Sequence, residues 1–144
     1  MSDSSDRAGY LGLLATAPAA RVAALFPDLP PHQVLRAPEI GTVMVRGRSG
    51  GTGAPFNLGE ITVTRASVRV GDAVGHGYVH GRSRDHALRV AGIDALMQTD
   101  QADRLHDTVI GPLAAERRSR RDANAARAAG TRVEFFTLVR GEDE

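Results

Sequence analysis

A Gly71-Asp72 pair separates two β-like stretches, Gly59–Val70 and Val74–His80, and constrains this chain more than any other feature. Glycine at the first central position suits a two-residue hairpin turn, because that position needs a positive φ. With the turn placed there, residues whose numbers sum to 143 face one another. Side chains alternate across a strand. Ala66, Val68 and Val70 therefore share a face with Ala73, Gly75, Gly77 and Val79, a smooth apolar surface for helices to pack on. Arg65, Ser67 and Arg69 share the opposite face with Val74, His76, Tyr78 and His80. Ile61 and Val63 have the parity of the arginine face, so either that face is apolar at one end or a bulge shifts the register near Thr64.

The rest of the chain is read around this hairpin. Ala8, Leu11, Leu14 and Ala15 recur at helical spacing, with Ser4, Ser5 or Asp6 available as a cap, and a second short helix can begin after Pro18. Val34–Ala37 reads as a short strand stopped by Pro38, and Thr42–Arg48 as a better one. Asp85–Thr99 places Ala87, Leu88, Ala91, Ala95 and Leu96 on one helical face, suited to covering the smooth side of the hairpin. Asp103–Ile110 is helical. Gly111-Pro112 opens an alanine-rich helix that Gly130 is expected to stop. Thr131–Arg140 then reads as a final strand, apolar on both faces around Phe135 and Phe136. Such a strand is either central in its sheet or buried against another chain, and partial burial by a partner is the preferred reading. The expectation is a single α+β domain over residues 1–144. It has a mostly antiparallel sheet of about four to five strands, including the hairpin 59–70/74–80 and a terminal strand 131–140, with helices on one face.

Composition removes several chemistries. The 144 residues contain no cysteine, which excludes disulfides, thiolate nucleophiles and cysteine-held metal clusters within the chain. All 18 Lys+Arg residues are arginine, which excludes Schiff-base chemistry and a Walker phosphate loop but suits forked recognition of phosphate or carboxylate. The formal net charge of +1 gives no general case for nucleic acid. Met1–Asp6 is polar and acidic, and no apolar run reaches the length of a membrane span, so the cytoplasm is the expected location.

The candidate binding residues lie in and beside the hairpin. Gly50, Gly51, Thr52 and Gly53 form a loop that either cradles an anion with backbone N–H groups or is simply a tight turn. Because a strand follows it, this loop is not a dinucleotide fingerprint. Arg65, Arg69, His76, Tyr78 and His80 form a cationic face that is either solvated or reads phosphate or an acidic partner. Arg82 and His86 continue it past Gly81, where a helix N-terminus favours an anion. On a strand His76 and His80 lie roughly 13 Å apart, too far to chelate one ion, so no metal site is assigned. Arg117, Arg118, Arg120 and Arg121 read as an exposed helix face. No catalytic residue is assigned.

Several stretches carry a resemblance to a known family. Gly50-Gly51-Thr52-Gly53 with Phe56, Leu58-Gly59-Glu60, Thr62–Ala66 and Val68-Arg69 are followed by Gly77-Tyr78, Gly81-Arg82, His86-Ala87 and Ile93–Gln98. Arg132-Val133, Phe135-Phe136-Thr137 and Val139-Arg140-Gly141 close the series. In this order they resemble the PhnG family, a subunit of the bacterial carbon–phosphorus lyase core complex. One departure is Ser83, where the family pattern places an aspartate after the Gly-Arg pair.

The resemblance implies an accessory subunit working with PhnH, PhnI, PhnJ and the ATP-binding-cassette-type PhnL. It makes the nucleosidase-type PhnI the closest contact, and the preferred burial of the terminal stretch by a partner makes Phe135, Phe136 and Arg140 the interface residues. The assembly transfers an alkylphosphonate to ribose C1 of ATP, displacing adenine. The resemblance also implies no cofactor in this chain: ATP is a substrate of the complex, and iron–sulfur and S-adenosylmethionine chemistry sits in another subunit.

Overall fold

The computed structural model describes residues 6–48 and 55–143, with side chains described as far as Ala129 except at 48, 55 and 57. Asp6 caps helix α1 (Arg7–Thr16), its carboxylate accepting a hydrogen bond from the Gly9 N–H at 2.6 Å. Pro18 sits at the start of α2 (Ala19–Leu25), where a residue without an N–H costs nothing. Three strands follow: β1 (Gln33–Arg48), β2 (Pro55–Val70) and β3 (Ala73–His80). They form one antiparallel sheet in the order β1-β2-β3.

Gly71 takes φ 59° in the hairpin turn, and the β2–β3 register runs unbroken from Val63↔His80 to Val70↔Ala73, each pair summing to 143. The expected face division holds: Ala66, Val68, Gly75, Gly77 and Val79 are buried, while Arg65, Arg69, His76, Tyr78 and His80 are exposed. The unbroken register excludes a bulge at Thr64. The arginine face is therefore apolar at one end, where Val63 faces Gly41 and Ile61 faces Val43.

Pro38 does not stop a strand. β1 runs through it, with register shifts between Val34 and Arg36 and between Arg36 and Glu39. A proline has no N–H to give a ladder, and an outer strand with a bulge is where that loss is tolerated.

Gly81 (φ 97°) turns the chain out of β3, its N–H donating to the Thr62 carbonyl at 2.9 Å and its carbonyl accepting from the buried Thr64 hydroxyl at 2.7 Å. Ser83 then caps α3 (Arg84–Leu96), its hydroxyl accepting from the His86 N–H at 3.1 Å. α3 lies on the smooth face of the hairpin. A Cβ added at Gly75 would overlap the Ala91 carbonyl oxygen, and one at Gly77 the Ala87 carbonyl oxygen. Glycines on β3 beneath alanines four residues apart on α3 thus let the two backbones meet directly. Leu13, Leu14, Val22, Val68, Val79, Val90 and Ile93 fill the core around this contact, each fully buried. Burial of a side chain of this kind contributes about 2 kcal/mol.

α4 (Ala102–Leu105) leads into a π-helical turn (His106–Ile110) in which the Gly111 N–H reaches back five residues to the His106 carbonyl. Pro112 lies just beyond, and its missing N–H and bulky ring disfavour a regular helix there. α5 (Gly111–Asp143) follows. The chain divides into two compact units, Met1–Leu113 and Ala114–Glu144.

The expected terminal strand over 131–140 is instead helical, and the described sheet has three strands rather than four or five. Once a helix is nucleated each further residue adds a hydrogen bond, and one glycine costs only about 1 kcal/mol. Gly130 alone does not end the helix, and no proline follows Pro112.

Candidate functional site

The arginine face is built by register. Arg65 of β2 lies opposite Tyr78 of β3, Ser67 opposite His76, and Arg69 opposite Val74. β1 adds Arg36, paired with Ser67. Arg36, Arg65, Ser67, His76 and Tyr78 line a shallow depression of ≈ 350 Å³. The Ser67 hydroxyl and His76 Nδ1 are 2.8 Å apart, which fixes the imidazole orientation and leaves Nε2 directed away from that bond. Glu39 approaches Arg65 at 3.8 Å, but both side chains are more than half exposed, so the pair contributes little and leaves the guanidinium available. The arrangement suits a phosphate, a phosphonate or a carboxylate: two guanidinium forks, an imidazole and two hydroxyls border one surface.

The other expected site residues separate from this face. Arg82 is exposed in the turn before α3. His86 is not on the face at all. It lies within α3 at 2 % exposure, and neither ring nitrogen has a hydrogen-bond partner. Burial lowers its pKa below the usual 6.5, with the Leu14 backbone opposing the shift and the Arg89 charge reinforcing it. Gly50, Gly51, Thr52 and Gly53 lie outside the described residues. Phe135, Phe136 and Arg140 fall on α5, and their side chains also lie outside the described residues. Of the four arginines expected on a helix face, Arg118, Arg120 and Arg121 are exposed and Arg117 is half-buried; partial burial and its neighbours Arg121 and Arg120 lower the Arg117 pKa.

Sequence reasoning missed two contributors. Arg36 looked like part of a short isolated strand, and only the β1–β2 register brings it to Ser67. The second is Asp94 of α3, fully buried and accepting four hydrogen bonds. Arg7 Nε and Nη2 donate at 3.1 and 2.8 Å, the Tyr10 hydroxyl at 2.7 Å, and the His76 backbone N–H at 2.8 Å. Asp94 raises the pKa of Arg7 through hydrogen bonding and charge. Burial first, and then Asp94, raise the pKa of Tyr10. This carboxylate joins α1 and α3 to the strand that carries His76, so it positions the face from beneath.

The family model for "Phosphonate metabolism protein PhnG" matches residues 5–141. The chain belongs to the PhnG family. A PhnG protein of Rhizobium meliloti (strain 1021), the "Alpha-D-ribose 1-methylphosphonate 5-triphosphate synthase subunit PhnG", is 47 % identical over 121 residues, covering 81 % of this chain and 75 % of that one. Ser83, expected to depart from an aspartate, has a physical role. It is the N-cap of α3, a position that serine and aspartate fill about equally well.

Proposed function

We propose that this chain is an accessory, non-catalytic subunit of the carbon–phosphorus lyase core complex. With its partners it supports transfer of an alkylphosphonate to ribose C1 of ATP in organic phosphonate catabolism. In that step a phosphonate oxygen bonds to C1 as the C1–N bond to adenine breaks, and adenine leaves with a proton. The observation that carries this reading is the 47 % identity to a protein named as a subunit of the synthase for ribose 1-methylphosphonate 5-triphosphate. The partners are PhnH, PhnI, PhnJ and PhnL, with the nucleosidase-type PhnI in closest contact and catalysis residing there. Iron–sulfur and S-adenosylmethionine chemistry belongs to another subunit, and the complex works in the cytoplasm. The arginine face is an assembly surface for an acidic partner, and by covering the nucleosidase site the chain favours phosphonate over water as nucleophile.

The depression between Arg36, Arg65 and His76 supports a second reading, in which these side chains hold the phosphonate or triphosphate directly. Arg65→Ala and Arg69→Ala chains, co-expressed with the partner subunits, separate the two. Loss of co-purification together with product makes the arginines interface residues. Intact assembly with product abolished makes them substrate ligands.

A further inference from the structure

We propose that the outer edge of β1, from Ile40 to Met44, is the pairing site for an extended strand of a partner subunit. The inference rests on the subunit reading above. Its starting point is that the two edges of the sheet are treated differently.

At β3 the outward backbone is closed by α3. The His76 N–H donates to Asp94 and the Val74 carbonyl accepts from the Gln98 amide at 2.7 Å. At β1 no such cover is present among the described residues, and no third strand meets it there. The ladder direction follows from Thr62, whose carbonyl accepts from Gly81 on the β3 side. Backbone groups alternate in direction along a strand, so Ile61, Val63 and Arg65 turn theirs toward Val43, Gly41 and Glu39 of β1. Ile40, Thr42 and Met44 then turn their N–H and C=O groups away from the sheet.

This edge lacks the usual protections. Pro38 and two register shifts lie before Glu39 and a third lies between Val45 and Arg46, so the proposed segment falls between them. From Glu39↔Arg65 to Val45↔Gly59 the register is unbroken. Ile40-Gly41-Thr42-Val43-Met44-Val45 contains no charge and no proline, and Met44 is 47 % exposed. A regular, uncharged, β-branched outer strand left uncovered is a template for pairing with another chain. A depression of ≈ 110 Å³ beside it, lined by Gly41, Val43, Val63, Arg65 and Tyr78 among others, has room for a side chain of an added strand. That depression also joins the edge to the arginine face.

Charge selects the occupant. Pairing with a second copy across an antiparallel edge would set both arginine faces on the same side of one continuous sheet, extending a positive face without neutralising it. A partner strand with an uncharged centre and acidic side chains on the arginine side neutralises that face instead.

The test is amide hydrogen exchange of the wild-type chain, alone and in the complex co-expressed with the partner subunits, alongside a Thr42→Pro chain. Thr42→Pro removes one outward donor while sparing the ladder to β2. In the complex the Ile40, Thr42 and Met44 amides are expected to exchange at least about ten-fold more slowly than in the free chain. Thr42→Pro should keep the native circular dichroism and lose at least about ten-fold in partner affinity. A complex that forms with those amides unchanged, or that binds Thr42→Pro normally, overturns the edge assignment and leaves the subunit reading standing. A free chain that is dimeric through this edge, and monomeric as Thr42→Pro, makes a second copy the occupant and overturns the proposal. Failure of the wild-type chain to join the complex overturns the subunit reading and the occupant with it.

Discussion

Asp94 concentrates more hydrogen bonding than any other described side chain, and its removal is the most damaging polar change the fold offers. Asp94→Ala leaves the buried Tyr10 hydroxyl and the His76 N–H without their acceptor and strips Arg7 of its partner. A buried donor left without an acceptor costs about 1–3 kcal/mol, so a loss of about 3 kcal/mol is expected in denaturant unfolding. Arg7→Ala leaves the fully buried Asp94 carboxylate without its countercharge, although the Tyr10 hydroxyl and His76 N–H still donate to it, so a loss of comparable size is expected in the same measurement. His86 behaves in the opposite sense, as a buried imidazole whose charged form burial disfavours more than the nearby Leu14 backbone favours it. Its folded-state pKa lies below the ordinary value, so as pH falls through about 6.5 the unfolded chain takes up the proton first. The stability present at neutral pH should therefore decline toward pH 5, at up to about 1.4 kcal/mol per pH unit for one proton. A His86→Leu chain should lose that component in pH-dependent thermal unfolding, and an unchanged pH profile would count against this assignment.

At the scale of elements, the hairpin and α3 were legible because short-range chemistry specifies them. Gly71 set the turn, the turn set the register, and the register placed glycines under alanines. Gly77→Ala tests that close approach. The obstructing atom is the Ala87 backbone carbonyl, which cannot rotate aside, so destabilisation of about 3 kcal/mol or more is expected in thermal or denaturant unfolding. The misread elements have equally local reasons. Pro38 looked like a strand terminator because sequence does not reveal which strand will be outermost, and only an outer strand absorbs it. Thr131–Arg140 looked like a strand because its apolar residues cluster, yet it continues a helix that had already begun at Gly111. The Asp94 network was illegible for a different reason: its donors Arg7 and Tyr10 lie 87 and 84 residues away in sequence. No periodicity connects groups at that separation.

For the whole molecule, one side of the sheet is spent on α3 and the core, and the other presents Arg36, Arg65, Arg69, His76 and His80 to whatever meets it. Among the described residues no single helix is long and apolar enough to cross a membrane. Replacing Arg65 and Arg69 together by glutamate should leave the unfolding midpoint of the isolated chain nearly unchanged, since both are exposed, yet remove it from the complex. Raising salt to 1 M, where the Debye length falls to about 3 Å, should weaken assembly of the wild-type chain in the same direction. The most direct test of the subunit account is product analysis of the partner subunits with ATP and methylphosphonate, with and without this chain. With it, ribose 1-methylphosphonate 5-triphosphate and adenine should form together; without it, adenine release should yield ribose 5-triphosphate by attack of water. Formation of the phosphonate product at an undiminished rate without the chain would contradict the account.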